Sequence, residues 1–210
     1  MPTARSSKST ANQVRIIGGR WRSRIIHFPP AQSLRPTPDR VRETLFNWLG
    51  QDLSGLSVLD LFAGSGALAF EALSRGAGLA VAVDASPEIV RSLNDNATTL
   101  GATNLEAHRA DAAGFLTRES RRFDVILVDP PFRESWMQRL WPLLEARSAP
   151  GGWVYVEQGS AFDLPDGWEM YRQRKAGLVH YHLLRRWGQV HAATGAPGTE
   201  ATDAPEATSA

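Results

Sequence analysis

Four successive strand patterns, each ending at an aspartate, constrain this chain most: the apolar runs 57–62 around Asp60, 79–83 before Asp84 and 125–128 before Asp129, and the more polar 105–109 before Asp111. Unbroken apolar runs mark strands covered on both faces, and the segments between them carry helical spacing, as Leu68, Glu71 and Ala72 do. With a fifth strand pattern at 151–157, five strand–helix alternations predict an α/β fold, a parallel sheet with helices on both faces. Open sheets of this kind hold ligands at the carboxyl ends of their strands. The four aspartates are therefore expected to face one cleft.

Asp129-Pro130-Pro131-Phe132 is the most specific of the four strand ends. Two prolines remove two backbone donors and bias Asp129 away from helical dihedrals, so the turn exposes carbonyls that can only accept hydrogen bonds. The Asp129 carboxylate and the Pro130 carbonyl match the two hydrogens of a nucleobase exocyclic amine, and Phe132 suits stacking on the base. The same string also suits a plain turn.

Ala63-Gly64-Ser65-Gly66 turns the first run into a helix, where glycines let backbone approach a ligand closely. Gly64-x-Gly66-x-x-Ala69 also fits a nicotinamide or flavin fingerprint. Asp60 beside it would repel a pyrophosphate and suits a ligand ammonium. Asp84 is placed to hold two ribose hydroxyls, or simply to open the helix at Ser86-Pro87. Asp111 is placed to meet an adenine amine, or to cap the helix starting near Ala112. Together the acids point to an adenosine ligand.

Charge is distributed unevenly. Residues 1–50 hold nine Lys or Arg against Asp39 and Glu43, a balance of +7, so the rest of this +1 chain sums to −6. Such a basic arm is the footprint of nucleic-acid binding, although charge runs are also common on ordinary solvated surfaces. Zero cysteines exclude disulfides, and His108, His180 and His182 lack a supporting ligand cluster, so no metal is expected. No run approaches a membrane span and the first residues lack an apolar core, so a cytoplasmic protein is expected.

Residues 1–13 are expected to be disordered, 14–36 to form a basic hairpin arm around Gly18-Gly19, 37–188 to form the main domain, and 189–210 a disordered tail. Trp21 suits either stacking on RNA or anchoring the hairpin. Thr37-Pro38-Asp39 predicts a helix with Pro38 at its first position, and Pro142 is expected to kink or divide a later one. Residues 168–174 and 179–187 read as a closing antiparallel pair, and Tyr171, Tyr181 and the tryptophans as packing residues.

Val14-Arg15-Ile16-Ile17-Gly18-Gly19-Arg20-Trp21, Leu34-Arg35-Pro36-Thr37, Asp39–Leu49, 60–68 and Asp129-Pro130-Pro131-Phe132 together resemble the RsmD family of bacterial 16S ribosomal RNA guanine-N2 methyltransferases, over residues 14–187. The resemblance implies a Rossmann-like class I S-adenosylmethionine-dependent methyltransferase. Its seven-stranded, mainly parallel sheet would have a reversed last strand and a small basic N-terminal extension. It implies a monomer methylating N2 of one guanine (guanine966-type) in 16S rRNA, within a small-subunit particle. Cofactor contacts would fall on Asp60, Ala63, Gly64, Ser65, Gly66, Asp84, Ala85, Asp111 and Ala112, and the reacting amine at Asp129, Pro130, Pro131 and Phe132. RNA contacts would fall on Arg15, Arg20, Arg22, Arg24, Arg35, Arg40 and Arg42. Three other readings remain open from the residues: an amino-methyltransferase acting on adenine N6 or protein glutamine, an NAD-linked oxidoreductase, and a non-enzymatic RNA-binding protein.

Overall fold

The apolar runs align into one seven-stranded sheet. The computed structural model describes residues 12–30, 37–131, 136–159, 164–177 and 179–187; Arg35 and Phe132 lie outside them. A hairpin of β1 (Asn12–Arg15) and β2 (Ile25–Phe28) is followed by α1 (Asp39–Leu49). Then come β3 (Ser57–Asp60), α2 (Ala67–Ser74), β4 (Leu79–Asp84), α3 (Pro87–Leu100), β5 (Leu105–Arg109) and α4 (Ala112–Arg118). The chain continues through β6 (Phe123–Val128), α5 (Trp136–Arg147), β7 (Ser148–Gln158), β8 (Trp168–Ala176) and β9 (Val179–Arg186).

The spatial order is β5-β4-β3-β6-β7-β9-β8. From β5 through β7 all pairings are parallel, while β9, the last strand, inserts between β7 and β8 and runs against both. Strand order moves outward from β3 to β5 and then returns to β6 on the other side of β3, so β3 and β6 flank the topological switch point. Crevices form there because successive crossovers leave toward opposite sides. Asp60 and Asp129 close those two strands.

Two apolar layers cover the sheet. On one face the hairpin, α1, α2 and α3 pack Phe28, Leu45, Phe70 and Leu93 against Val58, Leu127 and Tyr155. On the other, α4 and α5 pack Phe115, Leu140 and Leu144 against Leu59, Ile126 and Val154. Helix α5 runs through Pro142 as a single element rather than two.

The N-terminal strand begins at Asn12, inside the segment expected to be disordered, because its pairing with Phe28 extends the ladder past Val14. The Gly18-Gly19 segment is not a tight hairpin turn either. Arg15 ends the first strand and a short 3-10 turn at Gly19–Trp21 bridges to the second. Gly19 has φ +71, and a Cβ there would lie 1.9 Å from the Ser74 carbonyl, so only glycine permits this approach to α2. Trp21 is an anchor: its ring is buried and its N–H donates to Ser74 Oγ at 2.9 Å. Val14, Ile16, Ile26 and Phe28 join the main core, so the arm is docked on the body.

Helix α1 starts one residue later than expected, with Pro38 as N-cap and no side-chain cap. The Thr37 hydroxyl is engaged elsewhere.

Candidate active site

Asp60 is buried at the end of β3, and its Oδ1 has no hydrogen-bond partner. Burial pushes its carboxyl up to about 7, the Asp129 carboxylate adds to the rise, and the Phe62 backbone amide opposes it. A buried acceptor atom with nothing to accept from is unusual in a folded protein. It suits a cationic or donor group brought by a ligand.

Asp129 follows β6 and accepts from the Thr37 hydroxyl at 3.2 Å. Burial raises its carboxyl to about 6, and the Thr37 hydrogen bond holds it below where burial alone would put it. Pro130 is buried behind it and Pro131 is exposed, and neither has a backbone N–H to satisfy.

The turn after β3 is tied to both neighbouring strands, by Leu61 N–H to the Leu127 carbonyl (3.0 Å) and Ala63 N–H to the Val83 carbonyl (2.9 Å). Ala63, Ser65 and Gly66 are buried there. Gly66 has φ +78, and a Cβ would come within 2.5 Å of Leu93 Cδ2 and 2.9 Å of the Phe70 ring. Close packing of α2 on α3 therefore requires this glycine, independently of any ligand. Phe62, the residue after Leu61, sets its ring edge-on to Trp136 with centroids 5.2 Å apart.

Asp84 accepts from Gly64 N–H at 3.0 Å and from Ser86 N–H at 2.8 Å, so it rigidifies the glycine turn and the start of α3 together. Ala85 beside it is exposed. Asp111 is exposed and caps α4 through Gly114 N–H at 2.8 Å, with Ala112 buried behind it. The fold thus brings Asp60, Asp84 and Asp129 into mutual electrostatic contact, while Asp111 stands at its own helix start.

Two residues beyond the expected set join this cluster from β7. Val128 pairs with Val156, which puts Glu157 in register with Asp129 one step on. Glu157 is buried and accepts from the Tyr155 hydroxyl at 2.7 Å. Burial lifts its carboxyl to about 8, and the Asp129 charge contributes to that rise. Both carboxyls are raised, Glu157 further than Asp129, because both are buried and the charge on one opposes ionisation of the other. A carboxylate at the end of the fifth strand was the available signal for Glu157, since the other four strands end the same way.

The basic residues divide. Arg15, Arg20, Arg22, Arg24 and Arg40 are exposed. Arg42 is not an RNA contact: it is completely buried, donating to Asp39 at 2.6 Å and to the Arg15 carbonyl at 2.9 Å, with Glu71 at 3.6 Å. Helical spacing puts Arg42 on the same stripe as Phe46 and Leu49, which draws it inward. Among the described residues no group of side chains could hold a metal, and no helix is long and apolar enough to cross a membrane.

A doubly wound sheet with a reversed final strand and an acidic cleft at its switch point defines a Rossmann-like methyltransferase. A family model described as Conserved hypothetical protein 95 matches residues 14–185. The chain is 40% identical over 190 residues to ribosomal RNA small subunit methyltransferase D of Escherichia coli, covering 86% of this chain and 94% of that one. A solved Escherichia coli chain bearing the name methyltransferase yhhF superposes with TM-score 0.77 at 40% identity, over 85% of this chain and 100% of that one. The Thermus thermophilus 16S rRNA N2 G1207 methyltransferase, solved with AdoMet and guanosine, gives TM-score 0.64 at 26% identity, over 86% of this chain and 50% of that one. The chain belongs to the Conserved hypothetical protein 95 family, the RsmD family.

Proposed function

We propose that this protein transfers a methyl group from S-adenosylmethionine to the exocyclic N2 of a guanine in 16S ribosomal RNA. Family membership supports the reaction and the substrate class. The observation that carries the chemistry is Asp129: a half-buried carboxylate at the switch point, fixed by Thr37 and followed by two residues that offer acceptors only.

The buried, unpartnered Asp60 Oδ1 fits the ammonium of the cofactor. Ala63, Gly64, Ser65 and Gly66 would line it on the turn side, and Asp84, Ala85, Asp111 and Ala112 on the nucleoside side. When bound, the cofactor supplies an already activated methyl group. The protein's task is then orientation more than base strength. Asp129 and the Pro130 carbonyl hold the two N2 hydrogens and direct the nitrogen lone pair. Pro131 follows on the exposed side, and Phe132, outside the described residues, is assigned by the family motif to stacking on the base. As the nitrogen gains positive charge, the Asp129 carboxylate stabilises it in a site of low dielectric. Glu157, raised by burial and by the Asp129 charge, lies beside it as the less acidic of the two.

N2 lies on a pairing edge, so the target guanine must be unpaired or extruded before it reaches Asp129. Arg15, Arg20, Arg22, Arg24, Arg35 and Arg40 neutralise phosphates around it and contribute a salt-dependent binding energy. The natural substrate is the small-subunit particle, and the protein acts on it as a cytoplasmic monomer.

The test is transfer of labelled methyl from S-adenosylmethionine to unmodified small subunits, protein-free 16S rRNA and DNA, read by nucleoside mass spectrometry. N2-methylguanosine from the ribosomal substrates is the expected product. Label in N6-methyladenine or in protein would replace the substrate, and no transfer despite cofactor binding would remove the enzymatic reading.

A further inference from the structure

The proposed RNA substrate enters through a central site, because β6 is the fourth of seven strands. Its basic hairpin stands to one side of that centre, docked on α2 and α3 by Trp21 N–H to Ser74 and by Asn96 to the His27 backbone. A longer RNA that reaches the site past the hairpin has a second flank that can continue across the other side. That side is the β9–β8 end of the sheet.

β8 and β9 carry Arg172, Arg174, Lys175, Arg185 and Arg186 against the single carboxylate of Glu169. Pairing sets Arg172 beside Leu183, Arg174 beside Tyr181, and Arg185 beside Trp153, all on the face that α1 partly covers through the stack of Trp48 on Tyr181 at 5.4 Å. All three arginines are exposed.

A bulge between Met170 and Arg172 breaks the alternation of the edge strand, so that Tyr171 joins Arg172 on the Trp153 face while Met170 lies in the opposite apolar layer. Bulges commonly re-aim a side chain in this way. Tyr171 is 38% exposed, contrary to the packing role its sequence suggests, with its ring 4.9 Å from that of Trp153. Arg172 lies over Tyr171 at 4.5 Å and Arg185 over Trp153 at 5.3 Å. Aromatic rings interleaved with guanidinium groups in a positive field are what single-stranded nucleic acid binds: phosphates pair with the cations and bases stack on the rings.

The patch meets the site at Arg174 and runs from there toward Arg185, which pairs with Trp153 four residues before Glu157. Glu157, Tyr181 and Arg174 form one register row across β7, β9 and β8, and Glu157 neighbours Asp129. At about 4.8 Å per strand, Arg174 stands roughly 14 Å from the Asp129 position. That distance is within reach of the nucleotides adjoining an extruded guanine.

We propose that Tyr171, Arg172, Arg174 and Arg185 form a second RNA-binding surface that takes single-stranded RNA flanking the target nucleotide, opposite the hairpin. The proposal rests on the reading of RNA as substrate. It makes the enzyme a two-sided cradle rather than a domain with one basic arm.

The experiment compares the full chain with an Arg172→Gln/Arg174→Gln/Arg185→Gln variant. Binding to unmodified 16S rRNA and to small subunits is measured across a salt series, together with initial rates of methyl transfer. Three lost phosphate contacts should lower the slope of log affinity against log salt by about 2, at about 0.7 per contact with single strands. KM for RNA should rise about tenfold or more, kcat and S-adenosylmethionine affinity should stay within about twofold, and the corresponding triple Arg→Lys variant should restore the slope. An unchanged slope and KM, in an enzyme whose wild type forms N2-methylguanosine, overturns the surface and leaves the function standing. A loss seen with small subunits but not with protein-free 16S rRNA assigns the patch to a ribosomal protein and also overturns it. A wild type that methylates no RNA removes the functional reading and this surface together.

Discussion

Two clusters of charge are buried in this molecule, one around Glu71 and one at the strand ends, and they are built on opposite principles. In the first, Glu71 is fully buried between Arg42 and Arg75, accepting from Arg75 Nε and Nη2 at 3.0 and 2.8 Å and from Ile17 N–H at 2.9 Å, while Asp39 neutralises Arg42. Charges cancel there, although Arg42 Nε and Nη1 lack hydrogen bonds. In the second cluster, Asp129 raises the proton affinity of both Asp60 and Glu157, and among the described residues no cation pairs with the three. A compensated cluster joins hairpin, α1 and α2 into one body. An uncompensated one is a standing demand for positive charge, which a cationic cofactor or a nitrogen becoming cationic would meet.

Breaking the compensated cluster should give the largest change in stability. Arg42→Met leaves Glu71 with one cation, Arg75, and the hairpin carbonyl of Arg15 without its donor, and is expected to lower unfolding free energy by about 3–5 kcal/mol in urea melts. Equal stability of the two proteins would show that the buried pairing holds nothing together.

The acidic cluster should respond in the opposite sense. Asp129→Asn is expected to slow methyl transfer on the order of 10²–10³-fold, the scale of losing one electrostatic stabiliser of a transition state. It should not lower stability above pH 7, because it removes a buried charge. A variant with wild-type kcat would take Asp129 out of the chemistry.

Asp60→Asn separates folding from binding. Burial raises the Asp60 carboxyl to about 7 from its ordinary value of 3.8, so folding takes up a proton between those pH values. Stability of the free protein therefore falls as pH rises from about 4 to about 7, and stays lost above. At pH 8 the Asn variant should be more stable than wild type by on the order of 1–3 kcal/mol, while binding S-adenosylmethionine about 10–100-fold more weakly. Urea melts at pH 6 and 8 with calorimetry would check both. Undiminished cofactor affinity would dissociate the orphaned oxygen from the ligand.

The sequence exposes one cluster far better than the other. Asp60, Asp84 and Asp129 are legible because period and strand ends locate them, and the sheet places Asp60 and Asp129 at its switch point with Asp84 on the next strand, β4. Glu157 obeys the same rule on the fifth strand, but it sits two residues from Tyr155 in a run that reads simply as strand. Arg42 is misread by any count of charge, since a sum over residues 1–50 does not see which arginine faces Phe46 and Leu49. Thr37 is misread for a different reason. Local chemistry makes Thr-Pro-Asp a helix start, and only the tertiary pairing of α1 with β6 gives its hydroxyl a partner 92 residues away.

Thr37 is accordingly where the two clusters meet, and it offers the finest test. The compensated cluster fixes α1 through Arg42, α1 fixes Thr37, and the Thr37 hydroxyl donates to Asp129 Oδ2. That hydrogen bond favours the ionised carboxylate and lowers its pKa from the value burial alone would impose. Thr37→Val keeps the shape of the side chain and removes the donor. With activity depending on ionised Asp129, the acid limb of the pH–kcat profile should move upward from about 6, by about 0.5–1 pH unit for a bond worth about 1 kcal/mol. Rates above pH 8, where Asp129 is ionised in both proteins, should differ little. An unshifted limb with a uniformly lower rate would assign Thr37 to packing, and would make the coupling between the two clusters mechanical rather than electrostatic.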